Sequence, residues 1–196
     1  MLSLKNSLAV LKRTNALLEG HFVLSSGLHS PKYVQCAKLL SYPNKSKKFC
    51  QSLSQRIKKN IKNIDLILSP AIGGIVIGYE IGRLLNKETI FCERVGGKFK
   101  LRRGFSIKKN SRVLIIEDVI TTGKSSLECL SLIKNAKACL IGFACLIDRS
   151  NIKSLKIKNY EIVSQIKLKV PTFKKNKLPN SLKKIPITKP GSRFIK

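Results

Sequence analysis

Residues 113–126, VLIIEDVITTGKSS, set two adjacent carboxylates, Glu117 and Asp118, at the end of an apolar run; Val119, Ile120, Thr121, Thr122, Gly123, Lys124 and Ser125 follow. Hydroxyl side chains and glycine at the start of a helix let backbone N–H groups converge on a phosphate, and the helix dipole favours its charge. Paired carboxylates beside such a loop suit the hydroxyls of a sugar and a Mg2+ borne by a sugar phosphate. The chain has only ten Asp and Glu, so two of them adjacent at the end of a buried strand are poorly explained as surface decoration. Gly123, Lys124 and Ser125 supply the ending of a Walker A loop, but that pattern needs glycine where Asp118 stands. An ordinary strand-to-helix turn with a capping threonine leaves the acid pair unaccounted for.

The flanking sequence supplies elements to hold these residues. IDLILSP, from residue 64, is a fully apolar strand; AIGG is a glycine loop, IVIGYEIGRLL a helix and ETIFCER another strand. After a polar and basic stretch, 95–110, SRVLIIED gives a third strand, VITTGKSS a loop, LECLSLIKNA a helix and KACLIGFACLIDRS a fourth strand. Two such units in succession imply an α/β fold whose parallel sheet is covered on both faces. The active site then lies beyond the carboxyl ends of the strands, where residues 70–74, 117–125 and 148–149 fall. Upstream, residues 2–18 predict an amphipathic helix with Gly20 as its cap. His21–Leu24 and Lys32–Cys36 predict a hairpin, and a helix after Ser41 buries Phe49, Leu53 and Ile57. Downstream, a strand at 161–167 precedes a turn-rich tail with Pro171, Pro179, Pro186 and Pro190. The expectation is one domain over 1–196, in which 1–40 and 155–196 form a hood and tail around a 41–150 core.

Composition narrows the function classes. The chain has 196 residues, 39 Lys plus Arg and a net charge of +29, yet 43% of its residues are apolar, so it folds around a core despite its charge. A membrane span needs about 20 consecutive apolar residues; the longest uncharged run, 66–79, is interrupted by Ser69, Pro70, Gly73 and Gly74. Lys5, Lys12 and Arg13 among the apolar residues of the N-terminus argue for a helix rather than a signal peptide, and so for a cytoplasmic protein. Six cysteines include no C-x-x-C pair, which points to neither a zinc site nor a disulfide framework. The basic excess is 30 Lys against 9 Arg, diffuse along the chain, with 6% aromatic residues and no Trp. Stacking platforms and a groove-reading helix are both missing, which disfavours a nucleic-acid partner. His21 and His29 read as hairpin residues rather than catalytic bases.

Two hydrophobic residues, two acids, two hydrophobics and T-T-G-x-S resemble the phosphoribosyl-diphosphate (PRPP) signature of the type I phosphoribosyltransferases. GHFVLSSGLHSPKYVQC, SPAIGGIVIGYEIGR, ERVGGKFKLRRGF, LIDRS and IPITKPGSR narrow the resemblance to the orotate branch of that family, in order from about residue 15 to 193. The resemblance implies a central, mostly parallel sheet with flanking helices and a small N-terminal hood. It also implies transfer of ribose 5-phosphate from PRPP to orotate in pyrimidine biosynthesis, a glycosyltransferase reaction. By that similarity Glu117 and Asp118 hold the ribose 2′- and 3′-hydroxyls, Thr121 to Ser125 cradle the 5′-phosphate, and Val119 and Ile120 also meet PRPP. Arg94, Ala71, Ile72 and Gly73 meet PRPP on its pyrophosphate side. Arg149 pairs with orotate, joined by Thr121, Tyr33 and Val34. Arg94, Lys98, Lys100, Arg102 and Arg103 lie on a stretch resembling the family's mobile loop, with Lys98 and Asp118 chosen as catalytic. Mg2+ is expected as cofactor, carried by PRPP near Asp118 rather than bound directly by the protein, and a homodimer with shared active sites is expected. Another base, or a PRPP-sensing or RNA-binding regulator on the same fold, are the alternatives. The chain departs from the pattern at Ser25, where some members place lysine, at Lys124, more often glycine or another small residue, and in lacking histidine in the loop and C-P-x-C near the end.

Overall fold

The first helix, α1 (Leu4–Arg13), starts where the Ser3 hydroxyl accepts the Asn6 N–H at 3.2 Å and ends with Lys12 and Arg13 in its last turn. The computed structural model describes residues 1–24, 27–150 and 160–188. Asn15 takes a left-handed conformation, φ 53°, and stops the helix five residues before Gly20. Leu17 and Leu18 therefore open strand β1 (Leu17–Val23), and Gly20 lies inside that strand rather than capping a helix that reaches residue 18. Strand β2 (His29–Val34), helices α2 (Cys36–Leu40) and α3 (Pro43–Asn60), strand β3 (Leu66–Pro70), helix α4 (Gly73–Leu85) and strands β4 (Glu88–Val95) and β5 (Lys98–Leu101) follow. Then come β6 (Arg112–Ile120), α5 (Lys124–Asn135), β7 (Cys139–Asp148), β8 (Ile162–Lys167), α6 (Asn180–Lys183) and β9 (Ile187–Thr188).

Six strands form one sheet in the order β5-β4-β3-β6-β7-β8, parallel throughout except for β4 with β5. Side chains alternate across it. Ile67, Leu114, Ile116 and Leu146 face Phe49, Leu53 and Ile57 of α3 and Ile77 and Ile81 of α4. Leu68, Ile115 and Phe143 face Cys129 and Ile133 of α5. Burial on both faces is why these strands read as unbroken apolar runs. A second sheet, β2-β1-β9, pairs the β1–β2 hairpin with the C-terminal strand.

Two features place the site. Helix α4 lies close against the sheet because Gly78 faces it: a Cβ there would fall 2.1 Å from Ser69 Oγ. Strand β5 lies within the stretch read only as polar and basic. Gly96 and Gly97, φ 57° and 77°, turn the chain back, and the buried Phe99 anchors the return.

Candidate active site

Glu117 and Asp118 are neighbours on β6, so their side chains take opposite faces. Glu117 turns toward α5, where the buried Ser126 hydroxyl donates to its Oε1. Burial pushes the Glu117 carboxyl up to about 7, a rise that the side-chain and backbone hydrogen bonds from Ser126 oppose and the neighbouring Asp118 charge assists. Beyond it residues 121–123 turn the chain, Gly123 in the left-handed region at φ 70°, and α5 begins at Lys124. A cavity of about 410 Å³ opens here, lined by Arg94, Glu117, residues 119–125 and Glu128. The start of a twelve-residue helix and the hydroxyls of Thr121, Thr122 and Ser125 give it the character of an anion site.

Asp118 faces the other way. Its Oδ1 accepts the Val119 N–H at 2.8 Å, and a Cβ on Gly73 would sit 2.9 Å from both carboxylate oxygens. The loop after β3, with a cis Ala71–Ile72 peptide and an Ile72 side chain 87% exposed, is thus drawn against the acid. Burial raises the Asp118 carboxyl above the usual range. It also raises the Tyr33 phenol, which Asp118 pushes further up and Arg149 pulls down. Tyr33, Asp118 and Arg149 therefore share one electrostatic environment, with Val34 buried next to Tyr33 on β2. Arg149 is anchored by its N–H to the Ile120 carbonyl at 2.8 Å, while its buried Nε has no hydrogen-bond partner and burial lowers its pKa. A buried guanidinium nitrogen without an acceptor is costly unless a ligand supplies one.

The structure gathers Glu117, residues 119–125 and Arg94 around one cavity; Asp118, Gly73, Tyr33 and Arg149 cluster on the adjoining face. Lys98 is not among the residues lining the cavity and stands exposed at the start of β5. Arg103 is engaged at 2.8 Å by Glu93. Among the described residues no group of three or more His, Cys, Asp or Glu is arranged to hold a metal ion, and no helix is long and apolar enough to cross a membrane. His21 and His29 are buried in the hairpin, joined Nε2 to Nδ1 at 2.6 Å. Ser25 and the KPGSR segment lie outside the described residues. Reading the sequence missed Ser126 and Glu128. The signal for Glu128 was its i,i+4 spacing from Lys124; Ser126 offered only a second hydroxyl at the helix start.

A phosphoribosyl transferase domain matches residues 41–177. The chain is 45% identical over 182 residues to the orotate phosphoribosyltransferase of Caldicellulosiruptor bescii, covering 93% of this chain and 94% of that protein. It is 43% identical to the orotate phosphoribosyltransferase of Parvibaculum lavamentivorans, covering 94% of each. Among solved structures, orotate phosphoribosyltransferase from Aeropyrum pernix superimposes with a TM-score of 0.71 at 24% identity, over 82% of this chain and 92% of that one. Adenine phosphoribosyltransferase from Thermoanaerobacter pseudethanolicus gives 0.60 at 18%, over 70% and 88%.

Proposed function

The chain belongs to the phosphoribosyl transferase family, among its orotate phosphoribosyltransferases, and from that premise we propose how its residues divide the reaction. Ribose 5-phosphate passes from PRPP to orotate, releasing pyrophosphate and forming orotidine 5′-monophosphate. Thr121 to Ser125 hold the 5′-phosphate at the start of α5, with Val119 and Ile120 bordering PRPP, and Glu117 and Asp118, one from each face of β6, accept hydrogen bonds from the ribose hydroxyls. Ala71, Ile72 and Gly73 line the pyrophosphate side, with Arg94 at the opposite rim; the Ala71 N–H itself is taken by the Cys92 carbonyl at 2.8 Å. Arg149 pairs with the orotate carboxylate or ring oxygens, and Tyr33, Val34 and Thr121 border the ring. An arginine fork suits a planar anion better than lysine does.

The observation that carries this reading is the buried, unpartnered Nε of Arg149 beside Asp118 and Tyr33, next to an anion cavity. Orotate reacts as its anion, so no general base is required. What the protein supplies is charge for the departing pyrophosphate and exclusion of water from an oxocarbenium-like ribosyl centre. Lys98 serves as a catalytic cation if the β4–β5 hairpin closes over the substrate. The donor set fits a Mg2+ that arrives on PRPP: two acids, one on each side of the strand, suit sugar hydroxyls better than a protein cage. When bound, the ion neutralises charge on the leaving pyrophosphate.

Residues 41–150 together with β8 act as the core, rather than 41–150 alone, with 1–40 and the described residues 168–188 as hood and tail. The exposed Val76 and Tyr79 of α4, beside Ile72, support a homodimer with shared sites, and six unpaired thiols support a cytoplasmic setting. Orotate consumption followed by its ultraviolet absorbance, with PRPP and Mg2+ present and uracil, hypoxanthine and adenine in parallel, tests the reading. Turnover with orotate alone, one pyrophosphate released per base consumed, is expected; turnover with a purine instead would reassign Arg149 and Tyr33.

A further inference from the structure

Glu128 lies on the second turn of α5 and lines the same cavity as the phosphate loop, yet its charge has the wrong sign to meet a phosphate. Its carboxylate is occupied from two sides. Oε2 accepts from Arg94 Nη2, and Oε1 stands 4.0 Å from Lys124 Nζ, one helical turn back. Arg94 is held at two further points: Nη1 donates to the Gly97 carbonyl, and the guanidinium lies 4.3 Å over the Phe99 ring. Each terminal nitrogen of an arginine carries two N–H groups, so a second donor on each stays available after these contacts. The cation is fixed in plane and in direction at the cavity rim before any ligand arrives.

Lys124 occupies a position that the resemblance gives to a small residue, where a long side chain pointing inward would crowd the phosphate. Its side chain is 75% exposed and leans along the helix to Glu128. One acid thus draws a long lysine along the helix, away from the loop, and helps to hold an arginine at its rim. Side chains that are ordered beforehand lose less freedom on binding.

We propose that Glu128 is a positioning residue that gathers Arg94 and Lys124 at the rim of the phosphate cavity, a role that rests on the assignment of that cavity to PRPP. Because Glu128 touches no substrate in this arrangement, its loss falls on PRPP and pyrophosphate and spares orotate.

The experiment compares wild type, Glu128→Gln, Glu128→Asp, Arg94→Ala/Lys124→Ala and the triple variant. Steady-state rates are measured with PRPP and orotate varied separately, pyrophosphate binding by calorimetry, and unfolding midpoints as a check on the fold. Glu128→Gln is expected to raise the PRPP KM and the pyrophosphate Kd about five- to tenfold, leave the orotate KM within twofold and leave kcat nearly unchanged. Glu128→Asp should recover part of the loss, and Glu128→Gln should add nothing once both cations are gone. A PRPP KM within twofold of wild type, an equal change in the orotate KM, additive losses in the triple variant, or tighter pyrophosphate binding in Glu128→Gln would each overturn the role. Pyrophosphate binding is read without orotate turnover, so a wild-type enzyme that binds pyrophosphate but ignores orotate refutes the assigned base and leaves the test of Glu128 standing.

Discussion

The β3–α4 and β6–α5 crossovers lie side by side in the sheet and open at the same edge, yet they face a substrate with different materials. The loop after β3, residues 70–74, carries no charged or hydroxyl side chain; what it offers is backbone, with Gly73 and Gly74 at the start of α4. The β6–α5 crossover instead brings two acids at the end of β6, Thr121 and Thr122 in the loop and Ser125 in the first turn of α5. A pyrophosphate is served by amide donors and harmed by a neighbouring carboxylate, whereas sugar hydroxyls want carboxylate acceptors. The same strand-to-helix geometry is thus specialised by side chains on one side and by their absence on the other. The two units also meet, since Gly73 leaves the room that the Asp118 carboxylate occupies.

If the acid pair is the specialised half, Asp118→Asn should produce the largest effect. It removes the charge on the face shared with Gly73 and Tyr33 while keeping the shape. We expect kcat/KM for PRPP to fall at least about a hundredfold, with circular dichroism and the unfolding midpoint close to wild type; near-normal kinetics would remove Asp118 from ribose binding. Arg149→Ala should come next, raising the orotate KM about ten- to a hundredfold while the PRPP KM stays within about twofold. Equal changes in both constants would move Arg149 away from the base.

The contact between the two units is probed by Gly73→Ala. The new methyl would stand 2.9 Å from both oxygens of a carboxylate already tied to the Val119 N–H. Either the acid or the loop must shift, and we expect kcat/KM for PRPP to fall about tenfold with the PRPP KM more affected than the orotate KM. Unchanged kinetics would mean that the loop gives way freely and that backbone placement there is not critical.

How much of this was legible beforehand follows the range of the interactions. The two crossovers, the sheet they build and the strand-end location of the site were readable, because two-faced burial writes continuous apolar runs and glycine marks their turns. The acid pair and the phosphate loop were readable because they are contiguous. Strand β5 was not, since its signal is one buried Phe99 between exposed lysines, behind a Gly96–Gly97 turn. The end of α1 is not legible, because Asn15 takes the left-handed conformation that glycine at position 20 would ordinarily supply. Arg149 was named through resemblance; its orphaned Nε is a property of three-dimensional burial. Ser126 and Glu128 were not legible because their meaning lies in what they touch, Glu117 and Arg94, 9 and 34 residues away.

Ser126→Ala is the finest probe of the side-chain half and should give the smallest effect. Glu117 titrates near 7 because burial disfavours its charged form, and the Ser126 hydroxyl favours that form by donating to it. A folded carboxyl raised above its ordinary 4.5 holds a proton that the unfolded chain has already released, so between 4.5 and about 7 this group makes stability fall as pH rises. Binding of ribose hydroxyls runs the opposite way, since the acceptor is the ionised carboxylate. kcat/KM for PRPP should therefore climb through a limb near 7 in wild type. Removing the hydroxyl raises the carboxyl further, moves the limb to higher pH and lowers kcat/KM about fivefold at pH 7, the drop in ionised fraction that a limb moved by about one pH unit gives. Well above the limb the variant should approach wild type, and Ser126→Thr should restore the original midpoint. A limb that stays in place in Ser126→Ala while activity drops at every pH would make Ser126 a packing residue of α5, and the specialisation of this crossover would then rest on Glu117 and Asp118 alone.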